Sequence, residues 1–376
     1  MRIGYDAKRL YKNFTGLGNY SRTLVSNLSR YYPENEYYLY TPDIRQNEIT
    51  RSFLDHPAYR TVQPSGTLKS YWRSCSIKKD LKRDRIELFH GLSHEIPVRL
   101  HRSGIPSVVT IHDIIYRTYP HMFSAIDRAI YDIKFRYACK HADRIIAISE
   151  STKKDIMRYF GTPEEKIEVI YQAIQPVFYR LQEEAEVRRQ TEIFRLPPDY
   201  LLYVGAVNSR KNLLGIVRSL ALLPPDLQIP LVIVGNGGTY KKEVLRYTED
   251  HHLSHLLIWA NNLSDPGILQ AFYQKARIFI YPSFYEGFGL PVTEALLSKT
   301  PVITSNVSSL PEAGGTHCLY VNPAEPEEIA EGIRKILTDD VLRNDMREKG
   351  YLFARKQFDP QRLTEQVGRL YAGLVK

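Results

Sequence analysis

The 376-residue sequence predicts an α/β protein of two doubly wound, Rossmann-like domains. Three observations carry that prediction. The length suits about two domains of roughly 150 residues each. Both halves alternate short apolar runs with amphipathic helical stretches, the pattern of parallel sheets covered on both faces. One interruption falls near the middle: Ala173-Ile174-Gln175-Pro176, a polar helical stretch over 181–194, then Leu196-Pro197-Pro198-Asp199. Proline continues neither element, so the chain is expected to cross between domains there.

In the first half, 2–7, 37–40, 88–90, 108–112, 145–148 and 167–170 read as buried strands, with helices such as 19–31 and 151–160 between them. In the second half, 201–207, 231–235, 256–260, 277–281, 302–305 and 318–321 read as strands, separated by helices such as 212–223 and 291–298. The predicted division is a first domain over 1–172 and a second over 173–357. A C-terminal helix at about 358–376 is expected to pack back on the first. Ligands of such sheets bind outside the carboxyl ends of the strands, so two facing domains imply a shared cleft.

Composition narrows the function classes. With 43% hydrophobic and 25% charged residues, the chain reads as an ordinary soluble protein. Cys75, Cys139 and Cys318 form neither a disulfide framework nor a zinc pattern. The chain starts directly as a strand, with no signal-peptide pattern and no apolar run long enough to span a membrane, which predicts a cytoplasmic location. Residues 1–175 hold 28 Lys/Arg against 19 Asp/Glu, whereas the rest is neutral, so the surplus of +9 lies in one half. That asymmetry suits an anionic partner such as a membrane surface. The stretch 72–85, Trp-Arg-Ser-Cys-Ser-Ile-Lys-Lys-Asp-Leu-Lys-Arg-Asp-Arg, reads as a basic amphipathic helix for the anionic inner face of a membrane. Nucleic-acid binding would rest on charge alone.

Four motifs carry chemistry. Thr15-Gly16-Leu17-Gly18-Asn19-Tyr20-Ser21 follows the first strand and opens a helix, where glycines let backbone approach a phosphate. It lacks the third glycine and the tight turn of a dinucleotide fingerprint. Val204-Gly205-Ala206-Val207-Asn208-Ser209-Arg210-Lys211 delivers two adjacent cations at a strand's carboxyl end, the charges a diphosphate needs. Glu286-Gly287-Phe288-Gly289-Leu290-Pro291-Val292-Thr293-Glu294 joins a strand to a helix. Its spacing means little, because Glu87/Glu95 and Glu184/Glu192 share it. Its context means more: a buried strand precedes it, Gly287 and Gly289 can turn amides toward a polar ligand, and both carboxylates suit hydroxyl-rich groups. Finally, His112 closes a strand and is followed by Asp113. His90/His94 and His252/His255 have metal-like spacing, but Gly91 and Ser93 make the stretch from His90 to His94 read as a loop, and His252/His255 lacks an evident third ligand.

These stretches resemble glycosyltransferase family 4, the retaining "group 1" enzymes of the two-domain GT-B fold. Further matches are Val109-Thr110-Ile111-His112-Asp113, 142–149, 281–291, Pro301-Val302-Ile303-Thr304 and Ser309-Leu310-Pro311-Glu312. The resemblance implies a nucleotide-sugar donor as co-substrate, no metal, and a glycan or lipid-linked acceptor in polysaccharide or O-antigen-type synthesis. It implies that Gly16 and Gly18 lie against the donor phosphates and His112 beside the reacting carbon. Gly205, Arg210 and Lys211 would hold the diphosphate. Glu286 would hold sugar hydroxyls with Gly287, the Phe288 and Gly289 amides and Leu290 around it, and Glu294 would bind the ribose. Catalysis would fall to His112, Arg210, Lys211 and Glu286. Members similar at Thr15–Tyr20 and His112-Asp113 often transfer mannose or a deoxysugar, and GDP-mannose is the donor expected. Two departures stand out: Tyr171-Gln172-Ala173 replaces an Asn-Gly pair, and Lys299 replaces a glycine; both are expected to spare the site residues. The rival readings are a non-catalytic nucleotide-sugar-binding protein and a dinucleotide-dependent oxidoreductase.

Overall fold

A computed structural model describes residues 1–375 apart from 262 and 264. The chain forms two compact units: Met1–Ala173 with the segment from Phe358 to the C-terminus, and Ile174–Gln357. Each is built on one all-parallel sheet, the two-Rossmann plan of the GT-B fold.

The first sheet contains β1 (Arg2–Asp6), β2 (Glu36–Tyr40), β3 (Tyr59–Val62), β4 (Leu88–Gly91), β5 (Ser107–Ile111), β6 (Arg144–Ala147) and β7 (Ile167–Val169), in the order β3-β2-β1-β4-β5-β6-β7. β4 and β5 are buried along their whole length, which explains their continuous apolar character. β3 is an edge strand of half-buried Tyr-Arg-Thr-Val and leaves no apolar run in the sequence. The helix Pro360–Ala372 packs on this unit: Val367, Leu370 and Tyr371 join a core with Tyr5, Tyr20 and Leu24. Gly368 permits the approach, since a Cβ there would lie 2.5 Å from the Tyr32 hydroxyl.

The second sheet contains β8 (Leu201–Val204), β9 (Leu231–Val234), β10 (Leu257–Trp259), β11 (Ile278–Tyr281), β12 (Val302–Ser305) and β13 (Leu319–Val321), in the order β10-β9-β8-β11-β12-β13. Strand order reverses between β8 and β11. Parallel α/β sheets open a crevice for ligands at such a point.

Three expectations are corrected. The first long helix spans Gly16–Tyr31 and not 19–31, so Gly16 and Gly18 occupy its first turn. The stretch from His90 to His94 is not all loop: His90 and Gly91 close β4, in line with the strand expected over 88–90. The stretch 72–85 is no single amphipathic helix: a π-helical turn, Trp72–Ser76, leads into a short helix, Lys78–Arg83. Its apolar residues Trp72, Ile77 and Leu81 are buried against Tyr38, Tyr40 and Phe89, so that face is already covered. Among the described residues, no helix is long and apolar enough to cross a membrane.

Candidate active site

In the second unit the site grows from the two strands at the order reversal. After β8, Gly205 adopts φ +151°, and a Cβ there would press within 3.1 Å of the Lys211 side chain. Ser209–Lys211 form one tight turn held at both ends. The Asn208 side chain accepts from the Lys211 amide at 3.2 Å. Asn212, at φ +57°, accepts from the Gly215 amide at 3.2 Å and donates to the Pro323 carbonyl at 2.6 Å. This pinning presents Arg210 and Lys211 toward the loop after β11, whose Phe284 amide donates to the Arg210 carbonyl at 2.8 Å.

Glu286 is the centre of the charge cluster. Its Oε1 meets Arg210 Nη1 at 2.7 Å, Lys211 Nζ at 3.0 Å and the Tyr281 hydroxyl at 2.8 Å. Arg210 also donates to the Tyr285 carbonyl at 2.5 Å, and Lys211 donates to the Tyr281 hydroxyl. The ammonium sits 4.6 Å from the Tyr281 ring centroid, within cation–π range. Two serines clamp the loop: Ser308 Oγ accepts from the Glu286 amide at 3.1 Å, and Ser309 Oγ donates to the Glu286 and Phe288 carbonyls at 2.8 and 2.9 Å.

The electrostatics follow from burial and partners. Burial pushes the Glu286 carboxyl up, but Lys211 and Arg210 outweigh it and hold the group at about 2. Burial pulls the Lys211 ammonium down, Arg210 adds to that, and Glu286 opposes both. Arg210, Lys211 and Glu286 form this charge cluster in a largely dehydrated site, with side chains only 12–16% exposed. The helix Leu290–Leu297 starts beside it on Gly289, which has φ +114° and offers no side-chain cap. Its first turn therefore favours an anion. Phe288 itself is buried. Glu294, on that helix, differs from Glu286: burial raises it to about 7, partly opposed by a hydrogen bond from the Tyr273 hydroxyl at 3.3 Å and by Lys211. It can donate as well as accept near neutral pH. Gly287 and Leu290 are half-buried around the loop.

Gly16, Gly18 and His112 lie in the first unit. Gly18 has a reason of its own: a Cβ would fall 1.7 Å from the Asn13 carbonyl oxygen. Asn13 Oδ1 also caps this helix, accepting from the amides of Thr15 and Gly18 at 3.0 Å each. Gly16 has open space in front of it. This arrangement accounts for Gly18 without a dinucleotide, which removes the main support of the oxidoreductase reading.

His112 is 3% exposed. Its Nε2 donates to the Leu92 carbonyl at 2.9 Å, which leaves Nδ1 as acceptor from Gln172 Nε2 at 3.4 Å. The Tyr20 ring stands edge-on at 4.6 Å. Burial lowers the imidazole to about 4, partly opposed by the Leu92 carbonyl, so it is neutral at pH 7. Gln172 belongs to the Tyr171-Gln172-Ala173 departure, so the expectation that this departure spares the site residues is overturned. Lys299 adopts φ +57° after the helix Leu290–Leu297, the conformation a glycine would take, and pairs with Glu348 at 2.6 Å. The helix end is thus kept despite the substitution.

Sequence reasoning assigned no role to Tyr281, Ser308, Asn13 or Gln172. Tyr281 and Ser309 sit inside recognised stretches, but Asn13 and Gln172 act through contacts that no local pattern announces. Among the described residues, no three of His, Cys, Asp and Glu gather as a metal site would require.

Two family profiles match the chain. The profile of glycosyl transferases group 1 covers residues 184–353, and that of Glycosyltransferase Family 4 covers 14–177. O-antigen chain mannosyltransferase B of Escherichia coli is 28% identical, over 99% of this chain and 99% of its own. The serotype-specific mannosyltransferase WbdA of Escherichia coli is 29% identical over 70% of this chain, but the match spans only 33% of WbdA. Among solved structures, a glycosyltransferase from Rickettsia africae superposes with TM-score 0.79 at 15% identity, over 100% of this chain and 98% of the other. Anabaena HepE in complex with UDP and glucose superposes at 0.76 and 16%, over 99% of each chain. Profiles, relatives and fold agree: this chain is a glycosyltransferase, with a Glycosyltransferase Family 4 segment followed by a glycosyl transferases group 1 segment.

Proposed function

We propose that the enzyme transfers a hexose, with retention and without a metal, from a nucleotide-sugar to a glycan or lipid-linked acceptor. The observation that carries this reading is the fixed Arg210-Lys211 pair at the strand-order reversal. When the bond from the sugar's anomeric carbon to the diphosphate breaks, negative charge grows on the leaving oxygens. Preorganised cations in a site of low dielectric stabilise it without reorganising, which is the role a metal ion would otherwise fill. The acceptor oxygen forms the new bond on the same face and passes its proton to the departing diphosphate. Gly205 keeps the Lys211 turn close, while Glu286, Gly287, the Phe288 and Gly289 amides and Leu290 surround the sugar. Glu294, able to give or take a hydrogen bond, suits the ribose. In the first unit, neutral His112 would lie at the sugar, and Gly16 and Gly18 at the phosphates.

The mannosyltransferase relatives support mannose, hence GDP-mannose, and an O-antigen or related polysaccharide. The HepE complex with UDP-glucose supports a nucleotide-sugar donor in general. The test is a thermal-shift screen of nucleotide-sugars followed by NMR of the product's anomeric configuration. GDP-mannose should raise the melting temperature most and give an α-linked product from the α-linked donor. Stabilisation by a different donor would change the sugar; an inverted product would overturn retention.

A further inference from the structure

The helix Ala125–His141 is amphipathic in an unusual sense. One face, with Phe135, Ala138 and Cys139, is buried in the core of the first unit. The opposite face is also apolar. Ile126 is 73% exposed, Ile130 43% and Ile133 70%, and with Tyr137 they recur at intervals of four, three and four residues, one stripe along the helix. Tyr137 extends the stripe to a neighbouring loop, where its hydroxyl accepts from the Arg99 amide at 2.5 Å beside exposed Val98.

The end of this stripe is basic. Arg99, His101, Arg102, Lys140 and Arg144 are exposed there. The rings of His101 and His141 stack at 4.3 Å, and Lys166 donates to the Lys140 carbonyl at 2.8 Å. The nearby acids are engaged elsewhere: Asp143 accepts from Ser107, Asp132 pairs with Arg117 and Arg136, and Asp127 meets Ser124 at the far end. Besides burial, the repulsion of His101, Lys140, Lys166 and Arg102 lowers His141, as expected of a concentrated positive charge.

We propose that this helix face is a membrane-docking surface, with Ile126, Ile130 and Ile133 entering the interface of an anionic bilayer and the Arg99–Arg102 and Lys140–Arg144 cluster meeting its headgroups. A helix of 17 residues lying flat suits such an interface, where apolar burial and attraction to anionic lipid act together. Charge complementarity selects lipid over a second copy of the chain, because two copies would bring two cationic clusters together. The surface replaces the stretch 72–85 as the membrane contact, and it stands independently of the donor site.

The test is co-sedimentation of the full chain with phosphatidylcholine vesicles and with phosphatidylcholine–phosphatidylglycerol vesicles. The wild type should prefer the second and lose that preference at high salt. Ile126→Glu with Ile133→Glu should cut binding at least about tenfold. Arg102→Glu with Lys140→Glu should remove the anionic preference, at about fivefold per lost cation. All four side chains are exposed, and unchanged melting curves would show that the fold is kept. Equal partitioning of the wild type onto both vesicles overturns the proposal, as does binding unaltered in folded variants. So does sedimentation velocity showing a dimer that the isoleucine variant dissolves while vesicles are ignored.

Discussion

The two units hold their site residues by different physics. In the second, Arg210, Lys211 and Glu286 form a poorly hydrated cluster of ion pairs. In the first, His112 is neutral, enclosed, and fixed by a carbonyl, an amide and an aromatic edge. On the proposed function the contrast would suit a division of labour. A leaving diphosphate needs fixed charge, whereas a group beside an electron-poor sugar carbon serves better uncharged. Buried charge is also costly to disturb, so substitutions in the second unit should do more damage.

The largest effect should come from the cations. Arg210→Ala and Lys211→Ala should each lower the transfer rate on the order of 10²–10³, measured as steady-state turnover in proteins with unchanged circular dichroism. His112→Ala falling further than both would reverse the contrast.

Next comes the counter-charge. Glu286→Gln leaves two cations facing each other, and chemical denaturation near neutral pH should show a loss of about 3 kcal/mol, the low end for a broken buried pair because the group is not fully enclosed. Folded Glu286 titrates at about 2, below its ordinary 4.5. Its contribution is therefore present above pH 4.5 and fades as pH falls toward 2. A variant as stable as the wild type at pH 7 would show that the cluster is not strongly coupled.

Glu294 should behave oppositely. It keeps its proton up to about 7, against 4.5 in the unfolded chain. The folded state then binds more protons between those values, so this group lowers stability as pH rises across that window. Glu294→Gln should raise stability at pH 8 by up to about 3 kcal/mol and change it little at pH 4. A pH-independent effect would separate Glu294 from this reading.

The smallest effects sharpen the first unit. Gly18→Ala meets the Asn13 carbonyl and should cost about 1–3 kcal/mol. Gly16→Ala meets nothing and should be neutral or stabilise by about 0.5 kcal/mol. If Gly16→Ala nevertheless loses donor affinity in thermal-shift titrations, its glycine serves the ligand; unaltered affinity would confine its role to the chain.

Legibility in the sequence followed burial. β8 and β11 are wholly buried, so their Leu, Ile and Val runs announced a parallel sheet, and with it the loops bearing Arg210 and Glu286. β3 escaped because an edge strand need not be apolar. The start at Gly16 escaped because its cap, Asn13, lies upstream of the usual capping position. The stretch 72–85 looked amphipathic because it is; the periodicity could not say whether its apolar side met core or lipid, and Trp72, Ile77 and Leu81 meet core. Residues of the site that act through space, such as Tyr281 on Glu286 and Gln172 on His112, became visible only with the fold.

The central claim is that Arg210 and Lys211 hold a nucleoside diphosphate. Titration calorimetry of GDP and UDP against the wild type and Lys211→Ala tests it without requiring the acceptor. Loss of a charge-assisted contact of about 1.5–3 kcal/mol predicts binding weakened roughly ten- to a hundredfold in the variant. Equal affinity in the two proteins would contradict the claim.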